Sequence, residues 1–186
     1  MLASSAFAAT TTYNAIANGP AEAVPVASPG YSIATIVIDD VANTLYVSSP
    51  FQNLLGNTIG AHIHADLPEP FRGIGPVAVE LAGFPRGVSS GNYEMTFNLL
   101  DPSIYGSVFL SDNGGSVTSA RNSLLTDIND NRAYLNLHTD LYPNGESRGF
   151  IVAMPVPEPS SYAMMAIGLA GVGVMVRRKQ NAKEIA

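Results

Sequence analysis

Apolar and polar residues exchange places with a period of two in segment after segment of this chain, a pattern that fits short strands and leaves little room for long helices. The clearest case runs from Asn92 to Leu99, with Tyr93, Met95, Phe97 and Leu99 on one side and Asn92, Glu94, Thr96 and Asn98 on the other. Ile59 to Ala65 sets Ile59, Ala61, Ile63 and Ala65 against Gly60, His62, His64 and Asp66. From Tyr134, Leu135, Leu137 and Leu141 oppose Tyr134, Asn136, His138 and Asp140. Pro143-Asn144-Gly145 then supplies a turn, and Arg148 to Met154 returns as the second strand of a hairpin.

The remaining segments complete an all-β pattern. Tyr31 to Ile38 is apolar on both faces, as a buried strand would be, and Asp39 to Asn43 turns into Thr44 to Ser48. Val77 to Leu81 alternates, Thr10 to Ala17 alternates weakly as an edge strand would, and Ser107 to Leu110 is strand-like before an Asp112-Asn113-Gly114-Gly115 turn. Only Ser119 to Ile128 has helical spacing, through Leu124, Leu125 and Ile128. Seven to nine short strands and one short helix predict an antiparallel β-sandwich or barrel, Greek-key-like, formed by one domain from about Thr11 to Met154.

The balance of nine Lys plus Arg against fifteen Asp plus Glu offers no basic stripe, so nucleic acid is excluded as a partner class. The chain has no cysteine, which removes disulfides, zinc–thiolate sites and thiol nucleophiles. No Gly-x-Ser-x-Gly elbow or phosphate loop is present.

Both termini point to export. Ala6-Phe7-Ala8 fits a signal-peptidase site, yet the apolar region before it is short and carries no Lys or Arg. Residues 1–9 are therefore read as the remnant of a truncated signal peptide, against an Ala-rich leader. At the other end, Val156-Pro157-Glu158-Pro159 is followed by an uncharged apolar run from Tyr162 to Val176 and then by Arg177-Arg178-Lys179. The run predicts a C-terminal hydrophobic helix, short for a stable span, with its basic flank in the cytoplasm. These three parts, over about residues 155–180, resemble the PEP-CTERM sorting signal of Gram-negative bacteria. The resemblance implies an exosortase-type partner, transient residence in the inner membrane through residues 162–176, and delivery to the cell surface, outer envelope or extracellular space.

All three histidines fall in two strand motifs. His62 and His64, two apart on a strand, emerge on one face about 6–7 Å apart at their Cα atoms. His138 lies on the polar face of its own strand, and strand pairing with a shared core would bring it to them. Asp66 and Asp140 would follow by parity as further ligands. Three convergent imidazoles with a carboxylate suit Zn²⁺ or Cu²⁺, and an open fourth position would permit catalysis. The alternative is structural: imidazoles bonded to loop carbonyls, with His-Thr-Asp capping a turn. No cofactor is required by the sequence, and zinc or copper is the one it would accommodate. Pro143-Asn144-Gly145-Glu146 is read as turn chemistry, with Glu146 and Arg148 sharing a face as an ion pair; no catalytic residue is assigned.

Ala61-His62-Ile63-His64, Tyr134-Leu135-Asn136-Leu137-His138-Thr139 and Pro143-Asn144-Gly145-Glu146-Ser147-Arg148-Gly149 occur with Glu22-Ala23-Val24-Pro25-Val26 and Gly75-Pro76-Val77-Ala78-Val79. Together they resemble the CHRD domain, a module named from the animal protein chordin and widespread in bacteria. Ala23 and Ser147 depart from its usual residues. The resemblance and the tail imply an exported, surface-sorted protein acting as a non-enzymatic binding or structural module of the envelope or extracellular matrix, with polysaccharide or matrix protein as partner. The competing readings are an extracytoplasmic metalloenzyme with a three-His zinc or copper site, and a matrix protein whose histidines serve the fold.

Overall fold

A computed structural model describes Thr10–Met154 and the single residue Ile167. The leader and, apart from Ile167, the sorting segment with Val156–Pro159, the apolar run and Arg177–Lys179 lie outside the described residues. Nine strands form one continuous antiparallel sheet: β1 (Thr10–Asn18), β2 (Tyr31–Asp39), β3 (Thr44–Ser48), β4 (Phe51–Gln52), β5 (Thr58–His64), β6 (Val77–Glu80), β7 (Glu94–Asn98), β8 (Tyr134–Thr139) and β9 (Ser147–Ala153). Their order is β6-β5-β8-β9-β1-β2-β3-β7, with β4 also on β2. The sheet curls into a half-barrel, so the expected all-β antiparallel fold holds.

One face of the curl is the core. Tyr13, Ala15 and Ala17 of β1, Ala34, Ile36 and Ile38 of β2, Leu45 and Val47 of β3, Ala61 and Ile63 of β5, Leu135 and Leu137 of β8, and Ile151 of β9 are all buried together. Two helices add to the same cluster, α1 (Ser107–Asp112) through Phe109 and α2 (Val117–Asn129) through Ala120, Leu124 and Ile128. Ser116 caps α2 by accepting from the Ser119 N–H. Tyr13 Oη donates to Asn129 Oδ1 at 2.6 Å, tying the end of α2 to β1.

Three expectations are corrected. Ser107 to Leu110 is not a strand but most of α1. Its Gly114-Gly115 pair stops a helix, with the Gly115 N–H on Leu110 O at 2.8 Å and both glycines at φ +69°. Gly106 opens that helix because a Cβ there would stand 2.1 Å from Val77 O. The Thr10 to Ala17 segment is no edge strand: β1 sits between β9 and β2, its small Ala15 and Ala17 fully buried. Alternation also fails at two strand ends. Ile59 is 41 % exposed where β5 slips register between Thr58 and Gly60, and Leu141 is 63 % exposed past the end of β8.

Candidate metal centre

The opposite face of β5, β8 and β9 carries the polar residues. β5 and β8 pair antiparallel with Gly60 opposite His138, His62 opposite Asn136, and His64 opposite Tyr134. Side-chain alternation therefore puts both histidines of β5 and the one of β8 on the same side. Ring centroids are 4.7 Å apart for His62–His138, 5.8 Å for His62–His64 and 5.9 Å for His64–His138. One ring nitrogen from each lies within 4.8 Å of those of the other two.

Each imidazole is braced through one nitrogen. His64 Nδ1 is 2.9 Å from Gly75 O and His138 Nδ1 is 2.9 Å from Pro143 O. A carbonyl only accepts, so both Nδ1 atoms carry the proton and both Nε2 atoms keep a lone pair. His62 is braced through the other nitrogen, with Nε2 3.0 Å from Glu80 Oε2, which leaves its Nδ1 bare. The three remaining nitrogens, His62 Nδ1, His64 Nε2 and His138 Nε2, are buried and have no partner. This is how ligating histidines are oriented in metal sites: one nitrogen held by a carbonyl or carboxylate, the other presented.

Burial keeps the rings neutral. It lowers His62 to about 4, helped by repulsion from His138 and Arg86. His64 falls to about 4 through burial, which outweighs the favourable Gly75 carbonyl. His138 is also lowered by burial, against the pull of Pro143 O and Glu80. At neutral pH the His62–Glu80 contact is thus a hydrogen bond rather than an ion pair.

Asp66 and Asp140 stand outside this cluster. The chain leaves the strand after His64, with Asp66 at φ +59° and its Oδ1 3.2 Å from Arg132 Nη2. Asp140 lies past the end of β8, where its Oδ1 accepts the Asn57 N–H at 2.8 Å. Parity holds only while the backbone is extended. Glu146 and Arg148 do not pair either. Glu146 takes four hydrogen bonds, from Ser28 Oγ, Leu55 N, Gly56 N and Thr139 Oγ1, which hold its carboxyl below the usual range although burial alone would raise it.

Arg148 instead braces the loops around the histidines. Its Nε donates to Ala21 O at 3.0 Å and its Nη1 to Gly73 O at 2.9 Å. The guanidinium stands 4.5 Å over the Tyr134 ring, and that ring stacks on His64 at 4.8 Å with an interplanar angle of 1°. Arg148→Lys keeps the charge but loses the forked reach, and is expected to cost about 2 kcal/mol in chemical denaturation. An unchanged denaturation midpoint would argue against this role.

Two residues of the polar face carried no assignment from sequence: Asn136, opposite both His62 and Arg148, and Glu22, from the loop after the turn at Gly19–Ala21. Asn136 is 3 % exposed and Glu22 8 %. Burial pushes the Glu22 carboxyl up to about 7, against the Arg148 charge and the Ala23 N–H. Asn136 was legible by the same parity that placed His138; Glu22, on a loop, left no periodic signal.

A curled antiparallel sheet with three braced imidazoles on its polar face defines a β-domain with a candidate histidine metal centre. The CHRD domain family model matches residues 13–151, and the chain belongs to that family. The PEP-CTERM protein-sorting motif matches residues 155–179, which contain Val156, Pro157, Glu158, Pro159, Arg177, Arg178 and Lys179. This motif marks an exported protein, sorted to the cell envelope and processed by an exosortase-type enzyme. No curated protein and no solved structure matches the chain. Among the described residues no helix is long and apolar enough to cross a membrane.

Proposed function

We propose that this exported, surface-sorted protein is a non-enzymatic binding module whose CHRD domain holds one zinc or copper ion on His62, His64 and His138. The observation that carries this reading is a group of three histidines, each with one buried, unpartnered ring nitrogen, in which one ring nitrogen from each lies within 4.8 Å of the others. An orphaned buried polar atom costs about 1–3 kcal/mol, and three neighbours with that cost call for a common partner. Imidazole donors suit zinc and copper, and the absence of sulfur ligands disfavours softer metals. An ion about 2.0–2.1 Å from each nitrogen holds them roughly 3.4 Å apart, so from a spread of up to 4.8 Å loading would draw the rings together by at most about 1.4 Å.

A metalloenzyme is the second reading, because three protein ligands leave a fourth position, as catalytic zinc sites do. Against it, the three ligating nitrogens are shut away from solvent.

Elemental analysis of the purified protein tests the first reading. Close to one equivalent of zinc or copper is expected, and none in a folded His62→Ala/His64→Ala/His138→Ala variant. His138→Ala alone should weaken binding by more than about 100-fold. A parent that stays metal-free after loading would sink both readings and leave the histidines to the scaffold.

A further inference from the structure

The cluster of unpartnered atoms does not stop at the imidazoles. Asn136 Oδ1 and Glu22 Oε1 are also buried without a hydrogen-bond partner. Asn136 lies across the ladder from His62 and two residues before His138, on the same face of the sheet. Gly145, at φ +128°, shows how close Glu22 comes. A Cβ there would stand 2.6 Å from Glu22 Oε1 and from Asn136 Nδ2, and 2.7 Å from Asn136 Oδ1. The two oxygens therefore come together against the Cα of residue 145, where a glycine alone leaves them room. Neither acceptor has a hydrogen-bond partner of its own, and burial makes that costly.

We infer that the fourth position of the metal centre is a water molecule, bound by its oxygen to the ion and by its two hydrogens to Asn136 Oδ1 and Glu22 Oε1. This inference rests on the metal reading above. Its stoichiometry closes: three imidazoles and one oxygen complete a tetrahedral zinc site, and a buried water finds about three partners, here the ion and two acceptors. All five orphaned atoms of this face are then satisfied by one ion and one water. Asn136 and Glu22 are positioning residues here, acting through the water rather than on the ion.

Pulsed electron paramagnetic resonance of the full-length protein loaded with Cu²⁺, in H₂O and in D₂O, separates the two claims. The distal imidazole nitrogens report histidine coordination, and strongly coupled exchangeable deuterons, closer to the ion than those on the distal imidazole N–H groups, report the water. Both signals are expected in the parent. Asn136→Leu and Glu22→Met should each keep the imidazole signal, diminish the deuteron signal and weaken Cu²⁺ binding by about 10–100-fold. Imidazole coupling without deuteron coupling in the parent would overturn the water while leaving the metal site intact, and that measurement needs no variant to fold. Variants that retain both the deuteron signal and the parent affinity would overturn the roles of Asn136 and Glu22. Loss of imidazole coupling in the parent would remove the metal reading and this one with it.

Discussion

Glu146→Ala is expected to lower stability by about 4 kcal/mol, enough to unfold a large share of a marginally stable domain. The carboxylate is completely buried, and its four hydrogen bonds reach three separate parts of the chain. Oε1 takes Ser28 Oγ at 2.6 Å and Leu55 N at 2.6 Å; Oε2 takes Gly56 N at 3.0 Å and Thr139 Oγ1 at 2.7 Å. Truncation takes the acceptor from two backbone N–H groups, of which that of Gly56 is buried. Glu146→Gln is the sharper test. Each oxygen serves one hydroxyl, which can rotate to donate or accept, and one backbone N–H, which can only donate. Whichever way the Gln amide turns, its NH₂ faces a backbone N–H, so about 2 kcal/mol is lost even though size and shape are kept. Urea titration measures both. A Gln variant within about 0.5 kcal/mol of the parent would refute a carboxylate-specific role.

The metal-free protein is expected to lose about 3 kcal/mol of stability between pH 7 and pH 4. His62 and His64 have folded-state values of about 4 against an ordinary 6.5, and His138 is lowered too. Above about pH 6.5 these rings are neutral folded or unfolded, and their contribution is fully present. As pH falls toward 4 the unfolded chain takes up protons that the folded site refuses, so stability drains away; below 4 the loss levels off. Each full shift is worth about 3 kcal/mol at most. Glu22 works the other way. Raised to about 7 from 4.5, it favours the folded state as pH falls through that interval and cancels about one histidine's share. Two histidine-equivalents or fewer remain, with the coupling among adjacent rings reducing them further. The triple His→Ala variant should have a flatter profile. Equal urea midpoints at pH 7 and pH 5 for the metal-free parent would contradict the burial of neutral imidazoles.

The parity of β5 and β8 was legible because a half-buried strand must alternate, and the same rule delivered the histidine face before any strand neighbour was known. It broke where the backbone ceased to be extended, at Asp66 and Asp140, and at the slip that exposes Ile59. Short segments misled for a different reason. Ser107 to Leu110 is too brief to show a period, and Gly114-Gly115 serves a helix end as readily as a hairpin. The interior place of β1 was hidden because Ala15 and Ala17 carry little hydrophobic signal, although tight packing favours them. Glu146 and Arg148, both polar and close in sequence, suggested each other; their actual partners come from Ser28, Leu55 and Gly73, distant segments that no local pattern encodes.

The two strands that present the histidines are neighbours in the sheet but far apart along the chain, with more than seventy residues between His64 and His138. A growing or newly translocated segment that contains only β5 and β6 can offer an ion two imidazoles, not three. The carbonyl that fixes the His138 tautomer belongs to Pro143, just past the end of β8, so this imidazole is aimed only once the closing hairpin has formed. On the proposed metal reading, uptake of an ion would act as a test of completion: a chain that held one firmly would be one whose last two strands had already docked.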